Sequence, residues 1–369
     1  MVDGATGSAP LDHRKLAPII QSFIAGKDEI AAIEGLGDGN INDTYLVRLR
    51  HRPSLVIQRL NSSVFPDPIC VADNVAMVTD FLSSRQSVNS VGCGSYRFPA
   101  AVPSKDGKNW VEGQSGGIWR CLTYIDKAVT YPKVERADQP FEAGKLLGCF
   151  HTLLEQFDGS RLGEALPGFH DLQNYKRSYL HSIKTHRRSL DSEFRYCREM
   201  VEKRLNIESL DTLVKEAPGL MRVIHGDPKC DNFLFDPATD RAVSIIDLDT
   251  VSSGLLAVDL GDCLRSFCNS AGEKGHSGIA FDAEICASVL AGYFQSCHVA
   301  QDERFLIYHG VRQLTYELGL RFFTDHLNDD SYFKVTKEGE NLHRAGVQFK
   351  LLESIEKQRP AIEKAAGLC

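Results

Sequence analysis

Apolar residues recur at helical spacing at Leu16, Ile19, Ile20 and Phe23, which predicts an amphipathic first helix over Leu11–Phe23. The period then changes. A Gly-dense turn from Gly35 to Asn42 runs into the β-branched and aromatic Thr44-Tyr45-Leu46-Val47, and Ser54 to Leu60 reads as another strand. Pro66 to Leu82 is helical, with Pro68 near its start. Gly107-Lys108 marks a turn between strands, with Trp119 to Ile125 as the later one. Residues 1–125 are therefore expected to form a mostly β lobe with one internal helix.

Beyond Asp126 helical patterns dominate. Phe141 to Gln156 places Leu146, Leu147, Phe150 and Leu154 on one face. Tyr175 to Arg204 is a polar, basic helical stretch, and Ala283–Ser296 and Glu303–His326 are strongly helical. Two short strands interrupt them, Phe233-Leu234-Phe235 and Val243-Ser244-Ile245-Ile246. The turn formers Asp236-Pro237-Ala238-Thr239-Asp240 would join them as a hairpin. The expected class is α+β, with a small β-rich N-lobe over 1–125 and a larger helical C-lobe over 126–369.

Composition sharpens this outline in three ways. Over 369 residues, 43% hydrophobic and 25% charged content suits a water-exposed chain of two lobes with a sizeable core. A net charge of -7 argues against nucleic acid or an anionic membrane as partner, so any bound phosphate must be met by a few placed cations and backbone N–H groups. No apolar run is long enough to span a bilayer, and Met1–Pro10 lacks the basic-then-apolar pattern of a signal peptide, so a cytoplasmic location is expected. The 11 cysteines are scattered, without a Cys-x-x-Cys pair or zinc-ligand spacing, and read as free, mostly buried thiols.

The chemistry concentrates in His225-Gly226-Asp227-Pro228-Lys229-Cys230-Asp231-Asn232 and in Ile246-Asp247 after the hairpin. Phosphoryl transfer needs a carboxylate to orient and deprotonate a hydroxyl, hard oxygen ligands for magnesium, and donors for the phosphates. Asp227 suits the first role, Asn232 and Asp247 the second, and Lys229 suits the transferring group. One Asp alone would read as a turn carboxylate; the joint spacing points to a kinase.

His-x-Asp-x-Lys-x-x-Asn resembles the catalytic loop shared by protein kinases and the aminoglycoside phosphotransferase/choline kinase superfamily, and His225-Gly226-Asp227 is the phosphotransferase form. The resemblance runs over nearly the whole chain and is nearest to the N-acetylhexosamine 1-kinase group. It is carried by Gly37 to Tyr45, Gln58-Arg59-Leu60-Asn61, Pro167-Gly168-Phe169-His170-Asp171, the run Ile246 to Val251, Glu317 to Phe322, and Tyr332-Phe333. It implies a protein-kinase-like bilobal fold using ATP and Mg²⁺, with Asp227 as base and Asn232 and Asp247 as metal ligands. Arg321, Tyr332 and Asn40 would lie on the sugar side. The group often has His where Asn40 stands, a departure that bears on hydroxyl preference.

Gly37, Gly39 and Asn42 are expected over the phosphates, with backbone N–H groups as donors. The strand ending Ile57-Gln58-Arg59 lacks the usual kinase lysine, which leaves Arg59 as a phosphate contact or a surface residue. Tyr124 and Ile125, where the lobes should join, are placed to read adenine through backbone groups. His225 is assigned to the scaffold, as are Asp259 and Asp262. The resulting expectation is a monomeric or weakly dimeric kinase forming N-acetylhexosamine 1-phosphates. Choline, ethanolamine, homoserine, methylthioribose or an aminoglycoside stand as other acceptors, with Tyr316, Phe322, Phe323, Tyr332 and Phe333 as material for a cation cage. An inactive nucleotide-binding regulator is the remaining alternative.

Overall fold

Strand-forming residues early in the chain and long helical patterns later produce two compact units in the computed structural model, one of residues 1–80 and 99–126, the other of 81–98 and 127–369. The structure describes residues 13–24, 28–37, 41–86, 93, 95–114, 116–185, 191–214 and 218–368. Gly39 and Asn40 lie outside the described residues.

In the first unit, α1 (His13–Phe23) precedes β1 (Ile30–Gly35), β2 (Asp43–Leu49), β3 (Leu55–Arg59), α2 (Pro68–Gln86, of which residues 68–80 belong to this unit), β4 (Val111–Glu112) and β5 (Ile118–Thr123). Among the described residues the strands form one five-stranded sheet in the order β1-β2-β3-β5-β4. Alternation along the strands decides its faces. Val47, Ile57, Trp119 and Cys121 point to one side and bury Leu16, Ile20 and Phe23 of α1. Thr44, Gln58 and Arg120 are cross-strand neighbours, joined by hydrogen bonds. Strand β1 was not anticipated, because Ala31, Ala32 and Gly35 carry little β propensity.

The second unit is mainly helical: α3 (Gln139–Leu154), α4 (Leu172–Thr185), α5 (Ser192–Glu202), α6 (Leu210–Leu213), α7 (Leu256–Phe267), α8 (Ala283–Ser296), α9 (Gln301–Leu327), α10 (Glu340–Lys357) and α11 (Arg359–Ala365). The expected single helix from Tyr175 to Arg204 is corrected to α4 and α5, whose starts are capped by Asp171 and Asp191. A second correction concerns the thiols. Cys93 and Cys149 are joined as a disulfide across 56 positions, while the other described cysteines are free. No helix among the described residues is long and apolar enough to cross a membrane.

Four further strands carry the candidate chemistry. The β6 strand (Met221–Ile224) pairs antiparallel with β9 (Ser252–Leu255), and inside that ribbon lies the hairpin of β7 (Phe233–Phe235) and β8 (Ala242–Ile245). The hairpin follows from its turn residues. The β6–β9 ribbon joins segments too far apart for local patterning to reveal.

Helices α3 and α8 support this region by an unusually close crossing. A Cβ on Gly144 would overlap the Val289 carbonyl, and one on Gly292 the Phe141 carbonyl. Only hydrogen fits at either point. Gly144→Ala is therefore expected to destabilise the protein by about 1–3 kcal/mol, the usual cost of overpacking. A denaturant midpoint shift at unchanged slope would register it.

Candidate active site

The ribbon and hairpin deliver the His225–Asn232 loop and Asp247 to one region of the second unit. Leaving β6, the chain places His225 N–H on Asp259 Oδ2 (2.7 Å) and Gly226 N–H on Asp259 Oδ1 (2.8 Å). Gly226 sits at φ 89°, and a Cβ there would meet the Thr250 carbonyl at 2.6 Å, so glycine is required twice over. The His225 ring donates from Nε2 to the Ile246 carbonyl (2.9 Å) and accepts the Asp227 N–H at Nδ1 (3.2 Å). That pattern selects the neutral Nε2–H tautomer, and burial lowers the imidazole pKa. His225 thus pins the loop to the strand end, with both ring nitrogens engaged.

Asp227 follows, with Lys229 Nζ on its Oδ2 at 2.8 Å. The Asn232 amide donates to the Asp227 carbonyl at 2.8 Å. Burial pushes the Asp227 carboxyl up. The charge and hydrogen bond of Lys229, joined by Arg265, outweigh it and hold the group below its ordinary value. Burial would likewise lower Lys229, but Asp227, Asp231 and Asp247 keep its ammonium charged. The loop therefore presents an ionised carboxylate beside a retained cation. Asp247 adopts a left-handed backbone, φ 67° and ψ 57°, immediately before the 248–250 turn. Such a conformation costs energy for a non-glycine residue and is typical of functional positions.

A cavity of about 310 Å³ lies in the same unit, lined in part by Phe169, Tyr175, Arg321, Asp325, Tyr332 and Phe333. The Arg321 guanidinium is surrounded by the rings of Phe169, Tyr175, Tyr332 and Phe333, with centroids 5.2–5.9 Å away. Asp325 fixes two of these rings by accepting the N–H groups of Tyr332 (2.8 Å) and Phe333 (2.9 Å). Asp227 contributes to the field that keeps Arg321 charged, so cavity and loop are electrostatic neighbours. Tyr316, Phe322 and Phe323, expected as cage material, are instead fully buried in the core.

The remaining candidates belong to the first unit. Gly37 occupies a turn at φ 71°, next to the Leu36 N–H bond to Thr44. Asn42 is buried, and its Oδ1 accepts the Asn61 N–H at 3.0 Å. Arg59 is half-exposed, 3.7 Å from Asp43. Tyr124 donates its backbone N–H to Ser54 (3.1 Å), and Ile125 is buried.

A model of the phosphotransferase enzyme family matches residues 32–295, most of the chain and all of the loop. The chain belongs to that family. Phosphotransferases of known structure share its fold across nearly its whole length. An aminoglycoside phosphotransferase from Alicyclobacillus acidocaldarius is 13% identical, covering 98% of this chain and 99% of that one at a TM-score of 0.65. A choline/ethanolamine kinase family protein from Mesorhizobium loti is 17% identical over 92% and 93% at 0.54. The amicoumacin kinase hAmiN, in complex with AMP-PNP, Ca²⁺ and Ami, is 15% identical over 95% of both chains at a TM-score of 0.56. At these identities the likeness establishes the kinase-like fold.

For a phosphotransferase, the donor set at Asn232 and Asp247 suits a hard divalent cation. Asn232 directs its NH₂ to Asp227 and keeps the amide oxygen as acceptor, while Asp247 adds a carboxylate. Magnesium commonly takes one or two protein oxygens and completes its shell with phosphates and water.

Two buried cations near the candidate residues, Arg120 and Arg265, were missed in the sequence. Arg120, on β5, is buried and bonds Gln58 Oε1 through Nε (3.0 Å) and Nη2 (2.8 Å). It brings a cation to the β3 position where lysine is lacking. Alternation along Trp119-Arg120-Cys121, with apolar residues on both sides, was the available signal. Arg265, buried and 2.7 Å from Asp262, helps to keep Asp227 ionised.

Proposed function

We propose that the protein transfers the γ-phosphoryl group of ATP to the anomeric hydroxyl of an N-acetylhexosamine. The observation that carries the acceptor reading is the Arg321 guanidinium inside its ring of four aromatics. An aromatic cage open to solvent would select a quaternary ammonium ion. Here the cage already holds a cation of the chain's own, which repels choline and polycationic drugs and offers donors to neutral oxygen-rich groups. The rings supply apolar faces for a sugar's C–H surfaces, and a volume of about 310 Å³ suits a single small acceptor.

In this reading Asp227 orients the acceptor hydroxyl and takes its proton, and Lys229 neutralises charge on the transferring group. A hemiacetal hydroxyl is more acidic than an ordinary alcohol, so a carboxylate of depressed pKa suffices when proton transfer is late. A divalent ion held by Asn232 and Asp247 would neutralise phosphate charge. Gly37, Asn42, Arg59, Tyr124 and Ile125 remain assigned to the nucleotide, with Arg120 added as a buried cation. The complex of hAmiN with AMP-PNP and Ca²⁺ supports the choice of ATP and a divalent metal. Alignment and charge neutralisation supply most of the acceleration.

Arg321→Ala tests the acceptor assignment. Loss of a charged hydrogen bond is worth about 1.5–3 kcal/mol, so KM for N-acetylglucosamine or N-acetylgalactosamine is expected to rise roughly tenfold or more while KM for ATP holds. ADP release across a panel that includes choline and kanamycin reads this. Preferred turnover of a cationic acceptor by the parent chain would overturn the sugar reading.

A further inference from the structure

His170 stands outside every role assigned so far, yet it touches the loop that carries Asp227. Its ring lies between a backbone carbonyl and a carboxyl group. Nε2 is 2.9 Å from the Gly226 carbonyl, and Nδ1 is 2.9 Å from Glu317 Oε1. Gly226 immediately precedes Asp227 in the chain. Glu317 lies one helical turn before Arg321 on α9. The backbone is shaped for this contact. Gly168 has φ 73° and His170 φ 62°, a left-handed conformation uncommon for histidine, and Asp171 then caps α4 through the Asn174 N–H (2.9 Å).

We propose that His170 is a doubly protonated positioning residue, an imidazolium strut that ties Glu317 to the Gly226 carbonyl and so fixes Asp227 relative to the acceptor cavity. The proposal rests on the reading of Asp227 as the base of phosphoryl transfer. Hydrogen-bond bookkeeping supports it first. A carbonyl and an ionised carboxylate each require a donor, so both ring nitrogens carry hydrogen. Among the described residues the other carboxylate oxygen of Glu317, Oε2, is buried without a hydrogen-bond partner, so its hydrogen bonding rests on His170, with Arg321 as a further positive charge on the same helix. With Asp259 on the Gly226 N–H, the glycine is held from both of its peptide groups. His225, one residue earlier, shows the opposite pattern of one donating and one accepting nitrogen.

The charges around the ring favour the imidazolium. Glu317 comes from α9 and Asp262 from α7, and both stabilise the cation. Arg321, also on α9, shares the Glu317 charge. Tyr175 from α4 accepts the His170 backbone N–H, Asp211 from α6 senses the Glu317 charge, and Asp227 lies beyond Gly226. Burial alone would lower the His170 pKa, but Glu317, the Gly226 bond and Asp262 raise it above its ordinary value. A raised imidazole keeps its proton above the pH at which an ordinary histidine loses it, and the strut is lost as pH climbs through that elevated pKa.

Two variants of the full chain test this. With ¹⁵N-labelled histidine, the ring signals missing in His170→Asn belong to His170. In the parent both nitrogens should show the imidazolium signature at pH 7, above the ordinary histidine midpoint. In Glu317→Gln the His170 midpoint should fall by about one unit or more. The alkaline limb of kcat, measured with ATP, magnesium and N-acetylglucosamine or whichever panel acceptor turns over fastest, should move with it, and the ratio of kcat at pH 6 to kcat at pH 8 should rise about tenfold. His170→Asn should lower kcat roughly 10- to 100-fold with little change in KM for ATP. A neutral ring at pH 7 in the parent overturns the strut, as does a kcat limb that stays fixed while the His170 midpoint shifts. No ADP release with any acceptor defeats the phosphotransfer reading and the positioning role with it, while the ring signals still report the protonation state separately.

Discussion

Asp227→Asn is expected to lower turnover by about 10²- to 10⁴-fold, the usual worth of a positioned general base. Asparagine preserves size and hydrogen-bonding reach but cannot take the hydroxyl proton or carry the charge opposite Lys229. Lys229 would lose its 2.8 Å ion pair, while Asn232 would keep its bond to the residue 227 carbonyl. ATP affinity should change little, because no nucleotide role is assigned to this carboxylate. Steady-state kcat together with nucleotide binding by calorimetry separates the two effects. The parent's acid limb offers a companion check. Lys229 and Arg265 hold the Asp227 carboxyl below its ordinary value, so the group stays ionised above the normal carboxylate range and is lost only as pH falls through the depressed value. Near-normal turnover by the variant would remove Asp227 from the mechanism.

The largest loss of stability is expected from Asp259→Ala. Asp259 is fully buried, and its two oxygens accept the His225 N–H, the Gly226 N–H and His151 Nε2 at 2.7–2.8 Å. The His151 ring is fixed in turn, with Nδ1 accepting the Tyr293 hydroxyl at 2.7 Å. Removing the carboxylate strands two loop N–H groups and an imidazole without water, which costs about 3–5 kcal/mol. Unfolding by urea should reveal this as a lowered midpoint, and kcat should fall with it because the loop loses its anchor. Burial raises the Asp259 carboxyl, but its bond to His151 and those to the loop N–H groups bring it below its ordinary value. Its contribution is therefore present above the normal Asp pKa and disappears as pH falls through the depressed one. A change under about 1 kcal/mol would show that the loop is held elsewhere.

What could be read from the chain was local. The β7–β8 hairpin follows from Asp236-Pro237 between Phe233-Leu234-Phe235 and the mostly apolar Val243-Ser244-Ile245-Ile246, and α8 begins and ends where the periodicity places it. The Asp227, Lys229 and Asn232 cluster was legible because eight consecutive residues contain it. Arg321 was named, but its four rings come from positions 169, 175, 332 and 333, and only folding brings those together. Cys93 and Cys149 likewise meet across 56 positions, where spacing carries no signal. The Pro167–Asp171 motif was visible as a string, whereas the role of His170 depends on a carbonyl 56 residues away and a carboxylate 147 away. Pairings of that kind are set by tertiary packing, to which propensity and period are blind.

The regiochemistry of the product tests the central claim most directly. The chain is incubated with ATP, magnesium and N-acetylglucosamine or N-acetylgalactosamine, and the product is read by phosphorus NMR. A new resonance coupled to the anomeric proton, absent with Asp227→Asn, is the predicted result. A 6-phosphate, or an equal signal from the Asp227→Asn chain, would contradict it.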